Sequence, residues 1–310
     1  MTSAAPAPSV AVVVPTRSRP EELRRAVAAI LGQSYPGEVE CVVVADQCDP
    51  AGVDLAGLGP PGTGSRRLRV LANDRTPGLA GARNTGMLAT SSELIAFCDD
   101  DDEWRPGKLA AQAELLARPA SGFAATGIRV RYAGRAVDRI PPPAVGLADL
   151  VRDRITALHP STFCLRRAVL ERIGLVDERL PASYAEDYDW LLRAARLGPV
   201  VAVTEPLVEV HWHAQSYFAS RWESIAQALG YLLDKHPELH GDRAGLARIQ
   251  GQIAFAQAAG ARRPAAFATS WRAIRNNPAE RRAYLALAVA AGVLPAGAVV
   301  RAANRRGRGI

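Results

Sequence analysis

Short runs of apolar residues alternate with amphipathic segments over the first hundred positions of the chain. Val10–Val14 is a continuous apolar run, and Val39–Ala45 is apolar except for Glu40. Both are rich in valine, which is the pattern of strands buried on both faces of a sheet. Between them, Pro20 begins a segment whose apolar residues recur with a helical period of about 3.6. Leu68–Ala72 and Leu94–Cys98 are predicted strands as well, with a short helix between them. This alternation predicts an α/β fold with a mainly parallel central sheet and helices on both of its faces.

The pattern is less regular beyond residue 120. Arg167–Ile173 and Glu186–Leu197 are predicted helices, each of which ends at a glycine. Val200–Val203 and Leu207–Val210 are short apolar runs, which we predict to be two strands.

The last ninety residues are rich in alanine and are predicted to be helical. We therefore divide the chain into residues 1–220, an α/β domain, and residues 221–310, a C-terminal α-helical region with a basic tail. The uncharged stretch from Ala283 to Val300 contains Pro295, so we expect a buried pair of helices there rather than a membrane span. The predicted helices of this region are Trp222–Leu233, Ala244–Ala259, Pro264–Asn276 and Ala279–Ala291.

Composition and charge exclude several classes of protein. The 310 residues are 48% apolar and 22% charged, which is ordinary for a globular protein and excludes disordered and disulfide-scaffold chains. The net charge is +7, but residues 261–310 hold ten arginines and one glutamate, which leaves about −2 for the rest of the chain. Residues 1–260 are thus nearly neutral, which argues against nucleic acid as a partner, because phosphate contacts require clustered positive charge.

The cysteines and the N-terminal residues indicate the cellular compartment of the protein. The four cysteines, Cys41, Cys48, Cys98 and Cys164, form no Cys-x-x-Cys pair, so we expect reduced thiols and no zinc site. The first ten residues lack the basic and apolar regions of a signal peptide. A cytoplasmic location is therefore expected.

Five consecutive acidic residues, at positions 99–103, follow the predicted strand that ends at Cys98. Their mutual repulsion is costly unless a cation or hydrogen-bond donors offset it. A solvated loop, or a cluster that stabilises a helix N-terminus, would also account for the run. Ligands of parallel α/β sheets bind at the carboxyl ends of the strands, and carboxylate oxygens suit Mg²⁺ or Mn²⁺. This position therefore indicates a divalent metal site that could bind a diphosphate.

Three other segments carry candidate chemistry. Glu186 and Asp187 lie in the first turn of a predicted helix, where stabilisation of the helix dipole alone would explain them. His211 and His213 alternate on a predicted strand and so share a face. Residues 78–86 form a glycine-rich turn before a helix, but they match neither the Walker A nor the dinucleotide-binding pattern.

Taken in order, these segments resemble the motifs of family 2 glycosyltransferases with the GT-A fold, of the bacterial, non-processive type. The match spans about residues 9–218 and rests on VAVVVPTRSRPEEL, CVVVADQC, GLAGARNTG, IAFCDDDDEW, EDYDWLLRAARLG and HWHAQS. The resemblance implies a nucleotide-diphospho-sugar transferase fold and the inverting, metal-dependent transfer of a sugar to an acceptor hydroxyl. Processive members carry Gln-x-x-Arg-Trp, whereas five residues separate Gln215 from Arg221 here, so one sugar per event is expected.

The same resemblance assigns roles to individual residues and partners. Asp187 corresponds to the catalytic base, and Asp99 and Asp101 match the acids of the DxD motif. Asp101 and His213 are the expected ligands of Mn²⁺ or Mg²⁺. The residues expected to bind the nucleotide-sugar donor or the acceptor are Pro15, Thr16, Arg17, Asp46, Arg83, Asp99, Asp100 and Glu186. The expected acceptor is a sugar or a lipid-linked sugar, in polysaccharide, glycolipid or glycoconjugate biosynthesis.

Two alternatives follow from the same residues. A nucleotidyltransferase also uses acids at strand ends, but it would have a glycine-rich loop after the first strand, where this chain has Pro15-Thr16-Arg17. A non-catalytic nucleotide-sugar-binding protein would not need the acids at positions 99, 101 and 187. Assays with an Asp187 variant would separate the second alternative from an enzyme.

Four arginines lie within the last ten residues, at positions 301, 305, 306 and 308. Each basic residue near an anionic membrane surface contributes about 1 kcal/mol of attraction. We therefore predict peripheral contact with the inner face of the membrane through this tail, weakening as salt is added.

Overall fold

A ten-stranded sheet runs through the described part of the protein. The computed structural model describes residues 6–58, 65–118, 121–132, 134–212 and 221–305. The strands are β1 (Val10–Thr16), β2 (Val39–Ala45), β3 (Arg66–Ala72), β4 (Leu94–Phe97), β5 (Glu103–Trp104), β6 (Phe123–Tyr132), β7 (Arg135–Arg139), β8 (Ala144–Val145), β9 (Cys164–Arg166) and β10 (Val200–His211).

Four parallel strands form the N-terminal half of this sheet. They lie side by side in the order β3, β2, β1, β4, as the alternating sequence pattern predicts. Because the strands are parallel, their carboxyl ends meet at one edge, which carries Thr16, Asp46 and Asp99. The first half of the fold therefore gathers the polar strand-end residues at a single place.

The other half of the sheet is mixed. The short strand β9 pairs antiparallel with both β4 and β6, and β10 runs parallel to β6. The two strands predicted at Val200–Val203 and Leu207–Val210 are one strand, so the predicted break is wrong. The pairing of β10 with β6 is irregular around Pro206, which has no backbone N–H to donate to the ladder. The irregular sequence beyond residue 120 contains β6, β7 and β8.

Helices cover both faces of the sheet. Successive residues of β1 point to opposite faces. Val13 packs in one apolar cluster with Trp190, whereas Val12 packs in another with Ile30 and Leu109. The helices up to residue 200 are α1 (Pro20–Leu31), α2 (Leu79–Leu88), α3 (Lys108–Leu116), α4 (Leu147–Arg152), α5 (Arg167–Ile173) and α6 (Glu186–Ala195).

The C-terminal helices pack onto the α/β part. Leu229, Leu232 and Ile249 belong to the same apolar cluster as Trp190 of α6, while the following helices build a smaller, alanine-rich cluster. The elements are α7 (Trp222–Lys235), α8 (Arg243–Ala259), α9 (Arg263–Asn276), α10 (Arg281–Ala290) and α11 (Ala296–Arg305). The helix pair expected within residues 283–300 corresponds to α10 and α11. Its expected burial is confirmed for α10 but is wrong for α11, whose residues 296–303 are half-buried or exposed. Within the described residues, we find no helix with the length and apolar character to span a membrane.

Candidate active site

Asp46 anchors the turn that leads into α2. It is buried at the end of β2, and its carboxylate accepts a hydrogen bond from Asn73 Nδ2 at 2.7 Å. The backbone N–H of Gly78 donates to both carboxylate oxygens at 3.1 Å. Gly78 has φ +123°, a conformation that side-chain-bearing residues rarely adopt. Asp46, which the resemblance expects to bind the donor or the acceptor, thus fixes the start of the helix that carries Arg83.

Asp100 joins the end of β1 to the acidic run. Thr16 Oγ1 donates to its carboxylate at 2.8 Å, and the backbone N–H of Arg17 donates at 3.4 Å. Arg19 pairs with Asp100 at 3.2 Å and also with Asp101. Burial raises the pKa of Asp100 to about 6, although the hydrogen bond from Thr16 and the charge of Arg19 act in the opposite direction. Repulsion within the acidic run is therefore offset here by protein donors.

Arg83 lies buried between two carboxylates. Its Nη2 is 2.6 Å from Asp99 Oδ1, and its Nη1 pairs with Glu186 at the start of α6. Burial lowers the pKa of Arg83, but the charges of these two carboxylates raise it by a larger amount, so the guanidinium stays charged. Burial raises the pKa of Glu186 to about 7 in spite of this ion pair. The Nε of Arg83 is buried without a hydrogen-bond partner among the described residues.

Asp187 is held by an arginine that sequence reasoning missed. Both of its carboxylate oxygens accept hydrogen bonds from Arg154 Nη2, at 2.8 Å each. Burial raises the pKa of Asp187, but the charge and hydrogen bonds of Arg154 outweigh this effect and hold the pKa below its ordinary value. The predicted base is therefore ionised, and its carboxylate is oriented by Arg154.

A tight turn places these acids at the start of α6. Ser183 and Ala185 have φ values of +55° and +61°, a strained conformation of the kind that concentrates at functional sites. Ser183 Oγ also accepts a hydrogen bond from the backbone N–H of Ala80 at 3.2 Å, which links this turn to the start of α2. The positive end of the α6 dipole favours the charged forms of Glu186 and Asp187.

Three side chains form a candidate metal site. Asp99, Asp102 and His159 each offer one ligand atom, and these atoms all lie within 4.8 Å of one another. Ser161 Oγ donates to Asp102, and it accepts a hydrogen bond from the backbone N–H of Asp99 at 3.0 Å. Burial lowers the pKa of His159, which favours the neutral imidazole that a metal requires. Two carboxylates and one imidazole, supported by further hydrogen bonds, fit a divalent cation, and the two carboxylates are the ligands that suit Mn²⁺ or Mg²⁺.

The sequence model of the family described as Glycosyl transferase family 2 matches residues 11–174 of the chain, which is more than half of its length. The chain belongs to glycosyltransferase family 2. This membership agrees with the resemblance drawn from the six motifs.

One curated relative resembles the chain over about two thirds of its length. The succinoglycan biosynthesis protein ExoU of Rhizobium meliloti is 32% identical over 218 residues, covering 64% of this chain and 60% of ExoU. The matched region thus spans three fifths of that relative.

Solved structures show the same fold at low sequence identity. The crystal structure of S. aureus TarS 1-349 in complex with UDP-GlcNAc superimposes with a TM-score of 0.61 at 19% identity, covering 97% of this chain and 92% of that one. The mannosyltransferase PcManGT of Pyrobaculum calidifontis, in complex with GDP-Man and Mn²⁺, has a TM-score of 0.56 at 21% identity, covering 98% and 83%. The predicted fold class is confirmed.

The structure of this family 2 chain brings most of the predicted site residues to one edge of the sheet. Asp101 is among them, but it pairs with Arg19, while Asp102 and His159 complete the cluster of metal-binding groups around Asp99. His213, the other expected metal ligand, lies outside the described residues. The residues that the structure places at or beside this edge are Pro15, Thr16, Arg17, Asp46, Arg83, Asp99, Asp100, Asp101, Glu186 and Asp187.

Proposed function

We propose that this chain transfers one sugar per event from a nucleoside-diphosphate sugar to an acceptor hydroxyl, with inversion at the anomeric carbon and with the help of a divalent cation. The observation that carries the proposal is the ion-paired chain from Asp99 through Arg83 to Glu186, next to the ionised carboxylate of Asp187. These ion-paired side chains connect the candidate metal and phosphate site to the candidate catalytic base, Asp187. Family membership favours this function over the nucleotidyltransferase alternative.

The donor side of the site is formed by strand ends and by the start of α2. Thr16, Arg17 and Asp46 offer polar groups for the nucleoside, and Arg83 offers charge for the diphosphate. The UDP-GlcNAc and GDP-Man complexes of the two structural relatives support a nucleotide-sugar donor. Donors that differ in nucleobase and in sugar therefore form the panel for the test below.

Asp99, Asp102 and His159 would hold the cation, in addition to or in place of the expected Asp101 and His213. A bound divalent cation stabilises the negative charge that develops on the leaving diphosphate. Arg83 contributes fixed positive charge beside Asp99, in a buried position where water screens it little.

Asp187 would take the proton of the acceptor hydroxyl as it attacks the donor sugar. Each carboxylate oxygen has two lone pairs, so Asp187 can accept a hydrogen bond from the acceptor while it stays paired with Arg154. A single base on the side opposite the leaving group gives inversion. Arg154 is thus proposed as the residue that keeps the carboxylate of Asp187 ionised and correctly oriented.

The acceptor is proposed to be a sugar or a lipid-linked sugar, in polysaccharide, glycolipid or glycoconjugate biosynthesis. The similarity to a succinoglycan biosynthesis protein supports this class of pathway. The cytoplasmic location expected from the sequence stays a prediction.

A donor screen followed by one substitution tests the proposal. UDP-glucose, UDP-GlcNAc and GDP-mannose are added with and without Mn²⁺ while the unfolding temperature is measured. A donor at 100 times its Kd should stabilise the protein by about 2.7 kcal/mol. With that donor, Asp187→Asn should lower kcat at least about 10²-fold and leave donor affinity nearly unchanged. Loss of donor affinity with an unchanged rate on bound donor would show that Asp187 is not the base.

The matched control for this substitution is Asp234→Asn. Asp234 is exposed on α7, is not among the residues of the candidate site, and undergoes the same chemical change. Its kcat and donor affinity should equal those of the unmodified chain.

A further inference from the structure

One side of α9 presents aromatic and basic side chains to solvent. Phe267 is 38% exposed and Trp271 is 59% exposed, and because they are four residues apart they lie on the same side of the helix. Arg263 and Arg275, both exposed, extend this row by about one turn at each end. We call Arg263, Phe267, Trp271, Arg272 and Arg275 the α9 face.

Helix α9 places its large and small side chains in the opposite way to an ordinary amphipathic helix. The buried side of α9 consists of small residues, and it packs on the alanines of α8 and α10. A surface helix of a globular protein normally turns its large apolar residues inward. Here the largest ones point outward, so packing within this chain does not explain them. The buried residues of α9 are Ala266, Thr269, Ser270 and Ala273.

The charged residues of the α9 face itself are all arginines. Arg263, Arg272 and Arg275 form no salt bridge with any residue in the described ranges. The one acidic residue within positions 261–310 is Glu280, which is buried and accepts a hydrogen bond from the backbone N–H of Arg282 at 3.0 Å. Positions 261–310 therefore offer no exposed acidic side chain to balance these arginines; outside them, Glu223 Oε1 of α7 lies 3.6 Å from Nη1 of Arg262, which precedes the α9 face.

A second exposed apolar site lies close by in the sequence. The turn between α10 and α11 contains Val293, which is 73% exposed, and Leu294, which is 39% exposed. Arg301 of α11 is exposed as well. The C-terminal helices thus expose apolar and basic residues at more than one position.

We propose that the α9 face binds the surface of an anionic lipid bilayer. Arginines beside an anionic bilayer are attracted to its headgroups, while tryptophan and phenylalanine insert at the boundary between headgroups and acyl chains. The three arginines of the α9 face, which has no acidic residue among its five members, give it the charge that complements an anionic bilayer. This proposal goes beyond the catalytic function, and it differs from the prediction for the tail because its anchor is α9 rather than the last ten residues.

The test is vesicle binding by the full chain. Flotation with phosphatidylglycerol–phosphatidylcholine vesicles at low salt should recover the protein with the vesicles, and pure phosphatidylcholine should not. Phe267→Ala with Trp271→Ala should lower the partition coefficient about tenfold or more, because two rings no longer leave water. Arg272→Gln with Arg275→Gln should lower it about 20-fold at low salt and much less at high salt.

Matched controls use the same changes elsewhere on the surface. Leu88→Ala removes an exposed apolar side chain from α2, and Arg118→Gln removes an exposed arginine beyond the end of α3; together they should leave vesicle binding unchanged. Brominated lipids should quench part of the tryptophan fluorescence of the full chain, and Trp271→Phe should remove that quenching. Unchanged circular dichroism and unfolding temperature would show that each variant is folded.

Several outcomes would overturn the proposal. One is failure of the full chain to bind anionic vesicles at low salt. Another is binding that survives both α9 double substitutions but disappears when residues 301–310 are removed, since the tail alone would then be the anchor. A third is RNA binding or self-association that depends on Trp271 in a chain that ignores vesicles.

Discussion

Asp189→Asn tests whether the C-terminal helices hold the helix that carries the proposed base. Asp189 lies two residues after Asp187 on α6, and its side chain is fully buried. It accepts hydrogen bonds from His236 Nε2 at 2.8 Å and from Arg193 Nε at 3.0 Å, and Lys235 Nζ lies 2.6 Å away. Two of these three partners belong to the C-terminal region, so this carboxylate joins α6 to it.

The size of the effect follows from the pKa of Asp189. Burial raises this pKa, but the hydrogen bond from His236 and the charges of Arg193 and Lys235 lower it to about 2. The ordinary value, which applies to the unfolded chain, is about 3.9. The pKa therefore falls by nearly two units on folding, which contributes about 2.5 kcal/mol to the free energy of unfolding at pH 7. Removing one partner of a buried ion pair costs about 3–5 kcal/mol. We therefore expect Asp189→Asn to lower the free energy of unfolding by about 3 kcal/mol at pH 7.

The dependence on pH separates this cause from a simple packing defect. Because the folded-state pKa lies below the unfolded-state value, the stabilisation is fully present above about pH 4 and is lost as the pH falls towards 2. The difference between the unmodified chain and Asp189→Asn should therefore shrink over that window. Urea unfolding followed by circular dichroism at pH 7, 5 and 3 measures it.

Asp234→Asn is the matched control, because Asp234 is exposed on α7 and should contribute less than about 0.5 kcal/mol. A similarly small effect of Asp189→Asn at pH 7 would refute the reasoning. So would a large effect that stays constant down to pH 2.5.

Three further predictions concern the site and its support. Gly81→Ala should lower the free energy of unfolding by about 2 kcal/mol or more, since the added Cβ would overlap the carbonyl oxygen of Thr76; Gly52→Ala, which enters open space, should not. Arg154→Gln should shift the acidic limb of the pH profile of kcat/KM to higher pH, because the pKa of Asp187 rises, and Arg154→Lys should partly restore it. EDTA should abolish turnover, and Mn²⁺ should restore it; full activity in chelator would contradict the metal site.

The parallel half of the fold could be predicted from the sequence because burial on both faces leaves a clear signal. β1 is apolar up to Pro15 and β2 is apolar except for Glu40, and the apolar period of α1 identifies the residues that the structure buries. The two-residue strands β5 and β8 are too short to show any period. The continuity of β10 was hidden by Pro206, which signals a break in sequence although the structure accommodates it at a register irregularity.

The site could be predicted only where its residues follow a regular element. The acidic run begins two residues after the end of β4, and Asp187 lies in the first turn of α6, so both stand out in the sequence. Arg154 and His159 lie between α4 and β9 in a segment without periodicity, and long-range folding brings them to Asp187 and Asp102. An arginine after a short helix carries no local signal of its partner.

The stereochemistry of the reaction tests the central claim most directly. Proton NMR can follow the anomeric signal while the full chain consumes an α-linked nucleotide sugar, with water serving as the acceptor if no other is known. We predict that the β anomer of the sugar appears first and that Asp187→Asn suppresses its formation at least about 10²-fold at unchanged donor affinity. First appearance of the α anomer, or undiminished turnover by Asp187→Asn, would contradict inverting transfer with Asp187 as the base.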